Sequence, residues 1–181
     1  NNTFGFGATE FVAGETVTGG ATTDTILITA NAQTLVDANF TNKTLIEAIT
    51  TTGGNNAITL AANAAAATAS LTVTGGTGQD VIVTTGLNEA TVFNTGSGAG
   101  SVTGTAQTDS LNGGAAADSL AGAAGIDTLT AAGGTDSLAG GTGADTMTGA
   151  GGFDSFLYTN GDSAQTIAGN GNAGTIADFD V

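Results

Sequence analysis

Aspartates recur at a fixed interval in the C-terminal half of the chain, and they are the residues best suited to chemistry. Six stand nine residues apart: Asp109, Asp118, Asp127, Asp136, Asp145 and Asp154. An apolar side chain follows each aspartate by two positions, and mostly Gly, Ala and Thr fill the five positions before it. An upstream copy from Gly75 to Val83 places Asp80 in the same pattern. Carboxylates repeated in this way could bind hard cations through oxygen.

The repeat follows the nonapeptide G-G-x-G-x-D-x-U-x, where U is apolar, and residues 140–148 fit it in full. This pattern predicts an all-β fold, a right-handed parallel β-roll or β-solenoid with calcium-binding turns. Six residues form a turn and three form a strand, whose middle side chain points inward. Two nonapeptides make one coil, so alternate aspartates should stack along opposite edges of the roll.

Stacked carboxylates require a cation to hold them together. Successive coils lie ~4.8 Å apart, and two bare charges at about 5 Å repel by roughly 3 kcal/mol at an effective dielectric of about 20. Calcium accepts about six to eight oxygens, backbone carbonyls included. We therefore predict several calcium ions. Their ligands would be Asp80, Asp109, Asp118, Asp127, Asp136, Asp145 and Asp154, with backbone carbonyls near Gly75, Gly113, Gly122, Gly140, Gly141 and Gly143.

Charge and composition narrow the classes of function. The chain of 181 residues carries 16 acidic residues and a single basic one, Lys43, for a net charge of −15. Phosphate binding needs Lys and Arg, so nucleic acid is not an expected partner, and the chain lacks a run that would insert into a membrane. Without His or Cys the usual catalytic bases and nucleophiles are missing, so we do not expect an enzyme. The chain starts without Met, which suggests a fragment or a processed form.

Residues 1–74 are predicted to form an irregular β-solenoid or capping segment. Short runs rich in Ile, Val and Thr predict strands at Thr25–Thr29, Thr44–Thr50, Ala57–Leu60 and Ser70–Thr74. Ala32–Phe40 favours a turn, and Ala61–Ala69 could form one or two helical turns. Gly19–Ile26 resembles one degenerate nonapeptide, which leaves Asp24 either as a weaker calcium ligand or as a plain turn residue. Asp37 and Glu47 are expected to be solvated surface carboxylates.

Residues 75–158 are predicted to form the calcium β-roll proper. Asp80 and Asp109 are 29 residues apart, two more than three repeats, so nonconforming turns must lie between them. Val92 and Val102 could still point inward there, which would let the solenoid continue without a full metal column. Residues 159–181 are predicted to be a C-terminal cap or the start of a further unit. Within them, Asn160–Gly174 favours a loop and Thr175–Asp180 a short strand.

At these residues the chain resembles the RTX family of secreted repeats-in-toxin proteins. The resemblance rests on Gly75–Val83 and Gly104–Tyr158, on a weaker copy at Gly19–Leu27, and on the ending Ile176-Ala177-Asp178-Phe179. It implies calcium held by Asp side chains and turn carbonyls of adjacent coils, and extracellular localisation after type I secretion from a Gram-negative bacterium. The chain departs from the family where Ala115–Ala117 and Ala123–Ala124 replace glycines. Ala can supply the same ligand carbonyl only if its turn avoids positive φ, so the turns before Asp118 and Asp127 are weaker calcium candidates than the turn of Asp145.

Three functions fit these features. The first is a calcium-dependent structural segment of a bacterial surface-layer or filament protein, which self-associates through outward Ser119/Ala121, Ser137/Ala139 and Ser155/Leu157. The second is an adhesin or ice-binding module that uses the T-x-T motifs at 128–130 and 146–148 on the other face. The third is the non-catalytic tail of a secreted hydrolase, which the repeats alone do not separate from the others.

Overall fold

A computed structural model describes residues 2–7, 16–18, 23–29, 33–36, 43–44, 46–61, 70–84, 87, 89–158 and 166–178. Those residues contain eighteen β-strands and no helix, and every strand pairing is parallel. The predicted all-β solenoid is therefore confirmed, while the handedness of its coil stays a prediction. No helix in the described part is long and apolar enough to cross a membrane.

The strands are short except for the last two. In chain order they are β1 Thr3–Phe6, β2 Val17–Thr18, β3 Thr25–Ile28, β4 Thr34–Leu35, β5 Lys43–Thr44, β6 Ala48–Thr51, β7 Ala57–Leu60, β8 Ser70–Thr74, β9 Val81–Thr84, β10 Ala90–Asn94, β11 Ser101–Thr103, β12 Ser110–Asn112, β13 Ser119–Ala124, β14 Thr128–Thr130, β15 Gly133–Gly134, β16 Ser137–Thr142, β17 Thr146–Tyr158 and β18 Thr166–Asp178.

The strands stack on two faces of the roll. Face A consists of β1, β3, β6, β8, β10, β12, β14 and the start of β17; face B consists of β4, β7, β9, β11, β13, β16 and the end of β17. Because β17 runs along one face, around the turn and along the other, both faces belong to one sheet of sixteen strands. The chain therefore winds as successive coils, and β18 adds a further coil beside β17.

Two stacks of apolar side chains fill the interior. Each strand alternates buried and more exposed residues, which is the period of two that pleated strands impose. The inward residues are Ile26, Ile49, Val73, Phe93, Leu111, Leu129 and Met147 from face A, and Leu35, Ile58, Ile82, Val102, Leu120, Leu138 and Phe156 from face B, none more than 3% exposed. The apolar position of the nonapeptide thus supplies most of the core.

Coil length shortens along the chain. Equivalent residues are 23 or 24 positions apart in the N-terminal coils and 18 apart from Thr91 onward. One coil of intermediate length joins the two parts, since Ser70 pairs with Ala90 and Val81 with Ser101. The predicted change from an irregular solenoid to regular nonapeptide coils, with the solenoid continuous between Asp80 and Asp109, is confirmed.

Several local predictions were wrong. Val92 faces outward and is half-buried, whereas Phe93 is fully buried. The reason is that Thr91 takes the position of the aspartate, and the inward residue always lies two positions later. Within the predicted turn Ala32–Phe40, Thr34–Leu35 form strand β4. The predicted strand Thr44–Thr50 is split into β5 and β6.

The C-terminal loop prediction was also wrong over most of its length. Strand β18 begins at Thr166, within the predicted loop Asn160–Gly174, and pairs along its length with β17. The predicted strand Thr175–Asp180 overlaps the end of β18. The predicted helical turns over Ala61–Ala69 lie outside the described residues apart from Ala61, as do Asp37 and residues 19–22.

Candidate metal centre

The residues two positions before the inward core residues form two columns along the edges of the roll. Strand register places Asp24, Glu47, Leu71, Thr91, Asp109, Asp127 and Asp145 in column A, on face A. Column B, before the strands of face B, contains Asn56, Asp80, Gly100, Asp118, Asp136 and Asp154. All the aspartates in these columns are at most 3% exposed. The nine-residue spacing therefore produces two edges of buried carboxylates.

One oxygen of each carboxylate joins adjacent coils. Asp109 donates its backbone N–H to Asp127 Oδ1 at 2.8 Å, and Asp127 donates in turn to Asp145 Oδ1 at 2.8 Å. Column B repeats the contact, from Asp118 to Asp136 at 2.8 Å and from Asp136 to Asp154 at 3.2 Å. Each Oδ1 thus accepts a backbone hydrogen bond from the preceding coil.

The same contact extends into the irregular half, where the sequence pattern does not show it. Asp24 Oδ1 accepts the Asn2 N–H at 2.5 Å, and Asp24 N–H donates to Glu47 Oε2 at 2.8 Å. Gln33 N–H donates to Asn56 Oδ1 at 3.0 Å. Glu47 is therefore a half-buried member of column A, and its prediction as a solvated carboxylate was wrong. Asp24 lies four coils away from Asp109 in the same column.

Sequence reasoning missed Glu47, Asn56 and Thr91 as column residues. One signal could have found them: each precedes a buried apolar side chain by two positions, as Asp109 precedes Leu111. The pairs are Glu47 with Ile49, Asn56 with Ile58, and Thr91 with Phe93.

The second carboxylate oxygen, Oδ2, divides the aspartates into two groups. In the first group a backbone N–H four residues earlier donates to it. Gly76 donates to Asp80 at 2.8 Å, Thr105 to Asp109 at 2.6 Å and Gly114 to Asp118 at 2.8 Å. We call residues 75–80, 104–109 and 113–118 the closed turns, because hydrogen bonds from the protein occupy both oxygens of the aspartate.

In the second group Oδ2 is buried without a donor. Asp127, Asp136 and Asp154 each have an Oδ2 that is shielded from solvent and has no hydrogen-bond partner. We call residues 122–127, 131–136, 140–145 and 149–154 the open turns, the turn of Asp145 being included for its backbone conformation. A buried acceptor without a donor costs about 1–3 kcal/mol, and more when it is charged. Asp127, Asp136 and Asp154 therefore need a positive charge at Oδ2.

The backbone of the open turns differs from that of the closed turns. Two positions have positive φ in every open turn. The first lies four residues before the aspartate and is occupied by Ala123 (81°), Ala132 (77°), Gly141 (93°) and Ala150 (65°). The second lies two residues before the aspartate and is occupied by Gly125 (133°), Gly134 (138°), Gly143 (142°) and Gly152 (122°). Alanine was expected to supply a ligand carbonyl only where φ is negative, yet three alanines adopt positive φ. Each costs roughly 1–2 kcal/mol, which an ion would offset.

Turn carbonyls approach the carboxylates from the next coil. A methyl group on Gly122 would collide with both Asp127 Oδ2 and Gly140 O, so these two acceptors border the same small space. A methyl on Gly104 would lie 2.5 Å from Gly122 O and 2.7 Å from Asp109 Oδ2. Among the predicted carbonyl donors, Gly122 and Gly140 thus face carboxylates. Asp127 Oδ2 has no donor, so its pairing with Gly140 O suits a cation, whereas Asp109 Oδ2 already accepts the Thr105 N–H.

Gly75 and Gly113 approach the carboxylates of their own closed turns through Cα. A methyl on Gly75 would lie 2.5 Å from Asp80 Oδ2, and one on Gly113 would lie 2.7 Å from Asp118 Oδ2. In the described part of the chain no three acidic side chains converge on one point. A cation here must therefore take much of its coordination from backbone carbonyls. Such an all-oxygen, carbonyl-rich donor set fits calcium better than zinc.

The electrostatics of the open turns follow from burial. Burial raises the pKa of Asp127 to about 7, and the charges of Asp109 and Asp145 raise it as well, against the lowering effect of the Asp109 N–H. Burial also raises the pKa of Asp136 to about 6, with contributions from the charges of Asp154 and Asp118. Without a metal these carboxylates are unfavourable in their charged form.

The close approach between coils gives a direct test of the open turns. A methyl group on Gly143, which has φ of 142°, would overlap Gly125 O of the preceding coil. We expect Gly143→Ala to cost about 1–3 kcal/mol in strain and to weaken calcium binding roughly tenfold or more, measured by isothermal titration calorimetry. Gly133→Ala is the matched control, because its nearest neighbour would be Ala115 Cα at 4.0 Å. Equal losses in both variants would contradict the described packing.

Comparison with known proteins adds one match. A family model described as the RTX calcium-binding nonapeptide repeat (4 copies) matches residues 94–129, 122–156 and 130–163. These ranges contain all four open turns and two of the three closed turns. No curated protein and no solved structure matches the chain.

Proposed function

Residues 94–163 carry RTX calcium-binding nonapeptide repeats, and we propose from this that the chain is a calcium-dependent structural segment of a secreted bacterial surface-layer or filament protein. It would fold and assemble when it meets extracellular calcium. The observation that carries the proposal is the set of buried Oδ2 atoms without donors at Asp127, Asp136 and Asp154. A divalent cation satisfies these oxygens and offsets the strain of the turns around them.

The proposed extracellular location of the chain rests on the linkage between calcium binding and folding. An ion that binds only the folded coil stabilises it in proportion to the logarithm of its concentration. Calcium is scarce inside cells, so the open turns would stay unfavourable there and form after export. Repeats of this kind are typical of proteins exported by type I secretion, which supports an extracellular site for this chain.

A flat face of small side chains supports self-association. Register aligns Ser101, Ser119, Ser137 and Ser155 in one outward row on face B, and Thr103, Ala121, Ala139 and Leu157 in the next. Ser119 and Ser137 are exposed, and a shallow groove runs beside this row past Ala117 and Thr135. A regular surface without long side chains lets another chain approach closely, at little cost in side-chain entropy.

Calcium-dependent assembly is tested by static light scattering and electron microscopy of the purified chain. We expect ordered, higher-mass particles at millimolar calcium and monomers in chelator. Ser137→Lys should block their growth, because it places a long charged side chain on face B. Thr128→Lys is the matched control on face A, also at an exposed strand position. The proposal fails if the wild-type chain stays monomeric in calcium, or if both variants assemble as the wild type does.

An adhesin or ice-binding module is the second candidate, and one observation favours it. Face A carries three ranks of paired outward threonines, at 72/74, 128/130 and 146/148, one more than the nonapeptides alone suggest. The ranks between them contain Val92/Asn94 and Ser110/Asn112, where Asn112 Nδ2 donates to Asn94 Oδ1 at 3.0 Å. Thermal hysteresis that Thr128→Lys abolishes and Ser137→Lys leaves intact would favour this candidate.

A further inference from the structure

We infer that the closed turns of Asp80, Asp109 and Asp118 are built to fold without calcium, so that the roll contains a metal-independent segment on which the calcium-dependent coils are stacked. This inference rests on the calcium binding proposed above. Of the seven predicted aspartate ligands, it keeps Asp127, Asp136 and Asp154, whose Oδ2 has no donor, and Asp145, whose turn shares their backbone conformation.

The number of hydrogen-bond donors to each carboxylate carries the inference. Asp109 accepts from the N–H and hydroxyl of Thr91 at 2.8 and 2.6 Å, and from the N–H and hydroxyl of Thr105 at 2.6 and 2.9 Å. Asp118 accepts from Gly100 N–H at 2.7 Å, Thr95 Oγ1 at 3.2 Å and Gly114 N–H at 2.8 Å. A buried carboxylate with three or four donors is stabilised in its charged form without any ion.

Asp80 shows that the template glycines alone do not decide whether a turn is open or closed. Its turn has the complete template Gly75-Gly76-Thr77-Gly78, yet its Oδ1 accepts from the N–H of Asn56 at 2.9 Å and from Asn56 Nδ2 at 2.8 Å. The equivalent residue on the following coil is Gly100, which has no carboxylate to share an ion with Asp80. A neutral amide donor therefore replaces the cation at this turn.

By contrast, Asp136 accepts one hydrogen bond, from Asp118 N–H, and its Oδ2 has no donor. The orientation of one peptide group explains the difference. In the closed turns the N–H four residues before the aspartate points at Oδ2. In the turns of Asp127, Asp136 and Asp154 this residue has positive φ, and Oδ2 has no donor. Asp127 and Asp154 show the same lack of a donor at Oδ2.

The test compares two neighbouring aspartates of column B, Asp118→Asn and Asp136→Asn. Both side chains accept one backbone N–H from the preceding coil, and they differ in the donor to Oδ2. In calorimetric titrations of the intact chain with calcium chloride, we expect Asp136→Asn to reduce the number of bound ions. Asp118→Asn should leave the number unchanged and the affinity within about twofold. Asp109→Asn and Asp127→Asn form a second pair, in column A, should Asp118→Asn fail to fold.

Hydrogen exchange in chelator supplies the second measurement. Strands β9, β11 and β12 should stay protected in the wild-type chain, while β14, β16 and β17 exchange at least tenfold faster than they do in calcium. Asp118→Asn should reduce the protection of β11 and β12 in chelator, and Asp136→Asn should not.

If the wild-type chain binds no calcium, the proposed function fails and this inference fails with it. If it binds calcium but both asparagine variants lose ions alike, or protection is uniform in chelator, only the inference fails.

Discussion

Adding calcium to the chelated chain should raise its stability by ~2.7 kcal/mol for each ion at a hundredfold excess over the dissociation constant. The reason lies in the open turns, where the buried Oδ2 atoms of Asp127, Asp136 and Asp154 have no protein donor. The unfolded chain does not hold these oxygens together, so nearly all the binding energy favours the folded coil. Denaturant titrations followed by circular dichroism, over a series of calcium concentrations, measure the effect.

Magnesium is the control for this prediction. It prefers octahedral coordination with shorter bonds and gives up its water reluctantly, so a site rich in backbone carbonyls suits it poorly. At equal concentration it should therefore stabilise the chain far less than calcium. A midpoint that does not move with calcium, or that moves equally with magnesium, would contradict a specific site and indicate only screening of the net charge of −15.

The stacking of the aspartates was predictable because it depends only on spacing. Asp109 and Asp127 are one coil apart in sequence, and the apolar residue two positions after each has to face the core. The period of the repeat therefore determines which residues are neighbours across coils. The same argument predicted the inward residues Leu111 and Leu129, both fully buried.

The separation into open and closed turns could not be predicted in the same way. Asp80 has every glycine of the template, but Asn56, which lies 24 residues earlier, donates two hydrogen bonds to it. Ala123 has a side chain that disfavours positive φ, yet it adopts 81° because its turn matches the turn of Asp145 on the next coil. In both turns the decisive partner lies on another coil, 24 residues away for Asp80 and 18 residues away for Ala123.

In the N-terminal, irregular part of the solenoid the column residues do not form a visible sequence repeat, for a chemical reason. Accepting one backbone N–H from the preceding coil needs only an oxygen at the right place. Asp24, Glu47 and Asn56 all provide one. The solenoid itself therefore extends beyond the recognisable nonapeptide.

Acidification should stabilise the calcium-free chain and destabilise the calcium-loaded one. The pKa of Asp127 is raised from 3.8 to about 7 and that of Asp136 from 3.8 to about 6 in the folded protein. The calcium-free fold therefore binds protons more tightly than the unfolded chain does. The stability due to these protons is fully present below about pH 4 and is lost as pH rises through 6 and 7. Between pH 8 and pH 5 the calcium-free chain should therefore gain stability from both groups.

With calcium bound the sign reverses, because protons compete with the ion for the same oxygens. Denaturation midpoints measured from pH 8 to pH 5 should therefore rise in chelator and fall at saturating calcium. The double variant Asp127→Asn/Asp136→Asn carries neutral amides at both positions, so its midpoint in chelator should change little over this range. Parallel curves with and without calcium would mean that the buried carboxylates are not the calcium ligands. A steep curve for the double variant would mean that groups other than Asp127 and Asp136 cause the pH dependence. Opposite slopes in the wild-type chain would show that one set of oxygens accepts either protons or calcium.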